Sequence, residues 1–150
     1  MANSFTSINI HFVFSTKNRK NLIDDKMQSR LWEYIGGIAK QHNMVALAIG
    51  GTNNHVHMLV SMPAALSPAK SIQLIKSNSS KWVNEEFPNK NGFSWQVGYS
   101  GFSVSPRQIQ NVINYITGQE EHHRIRSFEE EYISFLKDSV IEYDERYVWG

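Results

Sequence analysis

Two histidines, His55 and His57, stand one residue apart in "GGTNNHVHMLVSMP", residues 50–63. On a β-strand, side chains two residues apart share a face; on a helix they diverge. A metal ion needs ligands that converge from one side, so the spacing suits a metal only if the run is a strand. The apolar run is too short for a helix, has turn residues before it, and is closed by Pro63, which reads as a strand. Both imidazoles then point the same way. A single histidine in a strand is usually a hydrogen-bonded structural residue. A pair at this spacing fits either that role or a metal site, and spacing alone leaves both open.

The second candidate is the helix that follows Pro106, through "QIQNVINYITGQEEHH" to about His123. Ile109, Val112, Ile113 and Ile116 form its apolar stripe. Tyr115 lies off that stripe, Gln119 sits one turn further on beside it, and Gln108, Asn111 and His122 share the flank. This face is polar but uncharged, whereas a solvated face ordinarily carries Lys and Glu. A helical tyrosine often packs with its hydroxyl at the rim, so Tyr115 alone assigns no chemistry.

These residues need elements to hold them. "SINIHFVFST" alternates, with Ile8, Ile10, Phe12 and Phe14 on one face and Asn9 and His11 on the other, and predicts a half-buried strand. A helix follows from Asp24 to about His42, capped by Asp24 or Asp25, with Met27, Leu31, Tyr34, Ile35 and Ile38 at helical spacing. "MVALAIG" and "HVHMLVSM" flank the turn "GTNN" as a hairpin. Ser67 and Pro68 open a helix through Ile72, Ile75, Trp82 and Val83. "FSWQVGYSGFSV" predicts a strand in which Phe93, Trp95, Val97 and Tyr99 alternate, with a β-bulge at Gly101 where the phase slips. After the Pro106 helix, a capping box of Ser127 and Glu130 opens a last helix carrying Phe128, Tyr132, Phe135 and Leu136. The order predicts an α+β, ferredoxin-like β-α-β-β-α-β antiparallel sheet, with helices on one face plus C-terminal helices. No repeat or linker divides residues 1–150, and one domain is expected.

Composition narrows the chemistry. The 150 residues contain no cysteine, so disulfides and thiolate ligands are excluded and any metal is held by nitrogen and oxygen. No run approaches the roughly 18 apolar residues of a membrane span, and a cytoplasmic location is expected. The net charge of +1 conceals an asymmetry: residues 1–119 hold 11 Lys/Arg and 5 Asp/Glu, and residues 120–150 hold 4 and 9. Ordinary surface variation explains this; so does a body that meets a polyanion, followed by an acidic tail that does not.

Taken together, "HFVFSTKNRK", "NNHVHMLVSMP", "IKSNSSKWVNE", "WQVGYSGFSVS" and "VINYITGQEEHH" resemble the single-tyrosine HUH transposases of small bacterial insertion sequences and their REP-associated tyrosine transposase relatives. The resemblance spans nearly the whole chain. It implies that His55 and His57 bind a divalent metal, Mg²⁺ or Mn²⁺, that Gln119 is a third ligand, and that Tyr115 is the nucleophile. It implies cleavage and rejoining of single-stranded DNA with hairpin ends through a 5′-phosphotyrosine link. It also implies homodimers, often with the tyrosine helix of one subunit completing the site of the other. Where many relatives have an aspartate before the first histidine, this chain has Asn54, which points away from His55 and is expected to hold the turn or an outer hydrogen bond.

The implied chemistry is sound. A tyrosine hydroxyl, with a pKa of about 10, is mostly neutral near pH 7, and a metal that draws charge from a phosphate oxygen makes the target more electrophilic. Ligands of the His, His and Gln types are neutral and leave the ion its full charge. Lys17, Arg19, Lys20, Lys76, Lys81, Arg107, His122 and Arg124 are candidate phosphate contacts, with Trp82, Trp95 or Tyr99 as stacking platforms, although Trp95 reads better as core. Among the other tyrosines, Tyr34 and Tyr132 fall on apolar helix faces and read as core. Tyr99 is in an apolar strand register, and Tyr143 and Tyr147 lie in the acidic segment. Two other functions compete: a domesticated relative that binds or processes repeat hairpins, and a small metallohydrolase. Against the latter, no carboxylate lies near the histidines in sequence.

Overall fold

The computed structural model describes residues 4–88, 92–119, 127–139, 141–143 and 146–149. Four strands form one antiparallel sheet in the order β2-β3-β1-β4: β1 Asn9–Ser15, β2 Val45–Gly51, β3 His55–Ser61 and β4 Ser100–Ser103. Helix α1, Asp25–Gln41, joins β1 to β2, and α2, Pro68–Glu86, joins β3 to β4. Helices α3, Ile109–Thr117, and α4, Phe128–Asp138, follow. This is the expected ferredoxin-like arrangement, and three helices begin where their sequence signals: Asp24, Ser67 and Ser127 accept from the backbone N–H of Met27, Lys70 and Glu130. At Pro106 the chain first makes a 3-10 turn, Pro106–Gln108, and α3 begins only at Ile109.

The sheet separates two kinds of packing. Phe12, Phe14, Val56, Met58 and Val60 face α1 and α2, where Met27, Leu31, Ile35, Ile72, Ile75 and Val83 complete the main core. The other face carries His11, Val13, His55, His57 and Leu59. There α3 lays Ile116 on Ala48 and Leu59, and α4 packs Phe128, Tyr132 and Leu136 with Val13 and Phe102. β1 is therefore buried on both faces and not half-buried, because the C-terminal helices cover the side that its polar residues suggested was wet.

Three expectations are corrected. The strand expected over residues 93–104 is ordered as strand only at Ser100–Ser103, with an isolated bridge between Thr16 and Trp95. Gly98, at φ 90°, turns the chain between them, and Val97 is 84% exposed. Gly101 pairs with Phe12 in unbroken register, so no bulge lies there; the register shift falls instead in β2, between Ala46 and Ala48. Tyr34 is not core: it is 36% exposed and stacks on Trp82 at 4.7 Å. Trp95 is buried as expected, its Nε1 donating to Ser79 Oγ at 2.9 Å. Among the described residues, no helix is long and apolar enough to cross a membrane.

Candidate metal and nucleophile site

Because β3 begins at His55, the pair at 55 and 57 projects from the same face beneath α3 and α4. Both residues are 0% exposed. His55 Nε2 lies 3.1 Å from Gln119 Oε1, and His57 Nε2 lies 2.7 Å from Glu131 Oε1. The opposite ring nitrogens are also engaged. His55 Nδ1 is 2.8 Å from Asn54 Oδ1 and 3.1 Å from Thr52 Oγ1, and His57 Nδ1 is 2.8 Å from His11 Nε2. Asn54 thus takes the outer role that its strand parity suggested.

α3 reaches this site because β2 has a glycine beneath it. A Cβ on Gly50 would stand 2.3 Å from the carbonyl oxygen of Ile116, so the end of α3 rests directly on backbone. From there Gln119, 2% exposed, turns inward, its Nε2 donating to the Tyr115 carbonyl at 3.1 Å. The Tyr115 ring lies 5.6 Å from the His57 ring and 5.5 Å from that of Phe135. α3 ends at Gly118, and a cavity of about 450 Å³ opens beside Gly50, Gly118 and Gln119.

α4 forms the roof. Phe128 stacks on His55 at 4.2 Å with an 18° interplanar angle, and Phe135 meets His11 edge-on at 5.2 Å. Glu131 was missed from the sequence. No carboxylate lies near the histidines along the chain, yet Glu131 reaches His57 in space. It adds a carboxylate to the candidate donors. The available signal was the position of Glu131 on the same stripe as Phe128 and Phe135 in an acidic helix. His11 was placed on the correct side of β1, but no role was read from it. Its pKa falls to about 3, chiefly through burial and secondarily through His57, with Glu131 opposing, so this imidazole is neutral across the physiological range.

Ligand atoms of His55, His57 and Glu131 all lie within 4.8 Å of one another. With Gln119 they offer two imidazole nitrogens, an amide oxygen and a carboxylate oxygen. That mixture of donors fits a divalent cation of the Mg²⁺, Mn²⁺ or Zn²⁺ kind.

The candidate phosphate contacts are dispersed. Lys17, Lys20, Lys81 and Arg107 are exposed. Arg19 is drawn to Glu129 at 2.9 Å and lies 4.6 Å over the Trp149 ring. Lys76 donates to the carbonyls of Gln96 and Gly98, each at 2.6 Å, and burial pulls its pKa to about 8, so it ties a loop. His122 and Arg124 lie outside the described residues. Among the described residues of the acidic C-terminal segment, Glu129 meets Arg19 and Glu131 meets His57. Tyr132, read as core, is buried and pairs with Ser100 Oγ, and burial raises its hydroxyl pKa.

Comparison with known proteins agrees with this architecture. A presumed transposase from Deinococcus radiodurans R1 superposes with a TM-score of 0.65 at 20% identity, over 79% of this chain and 95% of that one. A REP-associated tyrosine transposase, in a structure bound to a REP hairpin, gives 0.59 at 12% identity, over 82% of this chain and 73% of that one. Both likenesses establish the fold. No curated protein sequence matches. Residues 4–119 match the sequence family described as transposase IS200 like, a span that contains β1 through the tyrosine helix, and the chain belongs to that family.

Proposed function

We propose that this chain cleaves and rejoins single-stranded DNA, with Tyr115 as nucleophile and a divalent cation held by His55, His57 and Gln119, joined by Glu131. The observation that carries the reading is the convergence of α3 on β3: Gln119 reaches His55 while Tyr115, one turn earlier, stands beside His57. When bound, the cation supplies Lewis acidity to a phosphate oxygen. The protein's own part is to aim the imidazole nitrogens, hold the tyrosine and exclude water.

Attack by the Tyr115 oxygen on phosphorus forms a phosphotyrosine bond and breaks the P–O3′ bond. The protein keeps the 5′-phosphate, and the leaving strand takes a proton on its 3′-hydroxyl. Strand transfer runs the same exchange in reverse with a new 3′-hydroxyl. Because the histidines have no exposed surface, this chemistry requires α4 to lift from the sheet and admit the strand, so Glu131 joins the cation only while α4 is closed. Hairpin ends are the proposed substrate, supported by the hairpin bound in the similar REP-associated structure and by the exposed cations of the first loop.

One chain places the histidines, Gln119 and Tyr115 together, which supports a site closed within a single subunit, whether or not the protein dimerises. Mixing Tyr115→Phe and His55→Ala subunits then restores no cleavage; restored cleavage means that α3 is exchanged between subunits. The deciding experiment is incubation with labelled single-stranded oligonucleotides from the gene's own flanks and Mg²⁺. A covalent protein–DNA adduct supports the proposal. Metal-dependent hydrolysis without an adduct replaces it with a hydrolase, for which Glu131 supplies the carboxylate.

A further inference from the structure

We propose that His11 is a positioning residue: it holds the His57 ring so that Nε2 is the nitrogen presented to the cation. The inference rests on the metal site proposed above and extends it to a residue of the neighbouring strand. β1 pairs with β3 so that Val13 stands opposite His57. His11, two residues away on the same face, reaches His57 on the diagonal. Its Nε2 lies 2.8 Å from His57 Nδ1, and the rings are tilted by 34° at 5.0 Å. Both side chains are buried.

The requirement comes from imidazole chemistry. A ring that gives its Nε2 lone pair to a cation carries its proton on Nδ1. Where water is excluded, that N–H needs an acceptor built into the protein. His11 Nε2 occupies that place. His55 has its counterpart in Asn54 Oδ1, supplied by the adjoining turn. The His57 partner must come from another strand, because Val56 and Met58 point to the opposite face of the sheet.

A histidine suits this place better than a carboxylate. A carboxylate only accepts, and it would add a second buried negative charge beside Glu131. An imidazole can accept from His57 Nδ1–H when a cation holds Nε2. It can also donate to Nδ1 when His57 turns its own proton toward Glu131. The contact therefore survives in the loaded and the empty site, and the ring does not swing. Packing alone would not call for a histidine: the ring sits among Phe102, Phe135 and Tyr115, and a phenyl group fills the same space.

The test uses the full chain, Mn²⁺ alone as probe, and electron paramagnetic resonance of free Mn²⁺ to measure Kd. Circular dichroism checks the fold. His57→Ala should lose the binding. His11→Phe should keep the fold and raise Kd by roughly 10- to 100-fold, the range for partners of metal-bound histidines. His11→Gln, which restores an acceptor oxygen, should recover part of the loss. In the Mg²⁺-loaded protein, the ¹⁵N spectrum should show His57 protonated on Nδ1. Unchanged Kd in His11→Phe, with binding lost in His57→Ala, would leave the metal site standing and overturn the role of His11. Undiminished Mn²⁺ binding in His57→Ala would overturn the metal site itself. If His11→Phe does not fold, His57 protonated on Nε2 in the Mg²⁺-loaded wild type is sufficient to reject the proposal.

Discussion

His57 Nε2 and Glu131 Oε1 stand 2.7 Å apart, joining the second strand of the β2–β3 hairpin to α4. The contact places a carboxylate where the His–His–Gln pattern offered only neutral donors. A carboxylate here adds negative charge to the donors that face a cation. Glu131→Ala is therefore expected to weaken Mn²⁺ binding at least about tenfold, measured by titration of free Mn²⁺. Binding as tight as wild type would remove Glu131 from the donor set while leaving His55, His57 and Gln119 in it.

Tyr115→Phe removes one oxygen and keeps the ring against His57 and Phe135. Binding of single-stranded DNA should persist, measured by fluorescence anisotropy, while the covalent adduct disappears. Mass spectrometry should place the DNA-linked peptide on Tyr115 in the wild type. An adduct on Tyr99 or Tyr147, both exposed, would overturn the assignment.

Gly50→Ala tests how α3 is seated. The added methyl meets the Ile116 carbonyl oxygen, a backbone atom that cannot rotate away. Overpacking of this kind costs about 1–3 kcal/mol, a fall in Tm of roughly 2–12 °C for a chain of this size. Cleavage should fall more steeply than stability, because the shifted helix carries Tyr115 and Gln119 away from the histidines. A variant with reduced Tm and full cleavage would separate the seat of α3 from the site.

Lys76 provides a test at alkaline pH. Its pKa is about 8 in the folded chain, lowered by burial from 10.5. Between these values the unfolded chain binds more protons than the folded one, so this group makes stability rise as pH climbs from about 8 to about 10.5. Lys76→Met lacks that component. In urea unfolding at pH 7.5, 9 and 10, the stability of the wild type relative to the variant should grow with pH. A difference independent of pH would show that the buried ammonium is not disfavoured.

The order of elements was legible because it rests on local rules. Alternation marked β1 and β3, Asp24, Ser67 and Ser127 capped their helices, and strand parity put His55 and His57 on one face before any fold was known. Tyr115 and Gln119 could be paired because one helical turn separates them. Tertiary structure decided which faces meet. His11 fell on the polar side of β1, which α4 covers, and Glu131 was one acid among the 9 of residues 120–150. The phase slip read as a bulge at Gly101 is a turn at Gly98, which the pairing of Gly101 with Phe12 reveals. Periodicity specifies the direction of a side chain relative to its own backbone. The partner it meets depends on how separate elements pack, and the contacts His11–His57 and His57–Glu131 arise there.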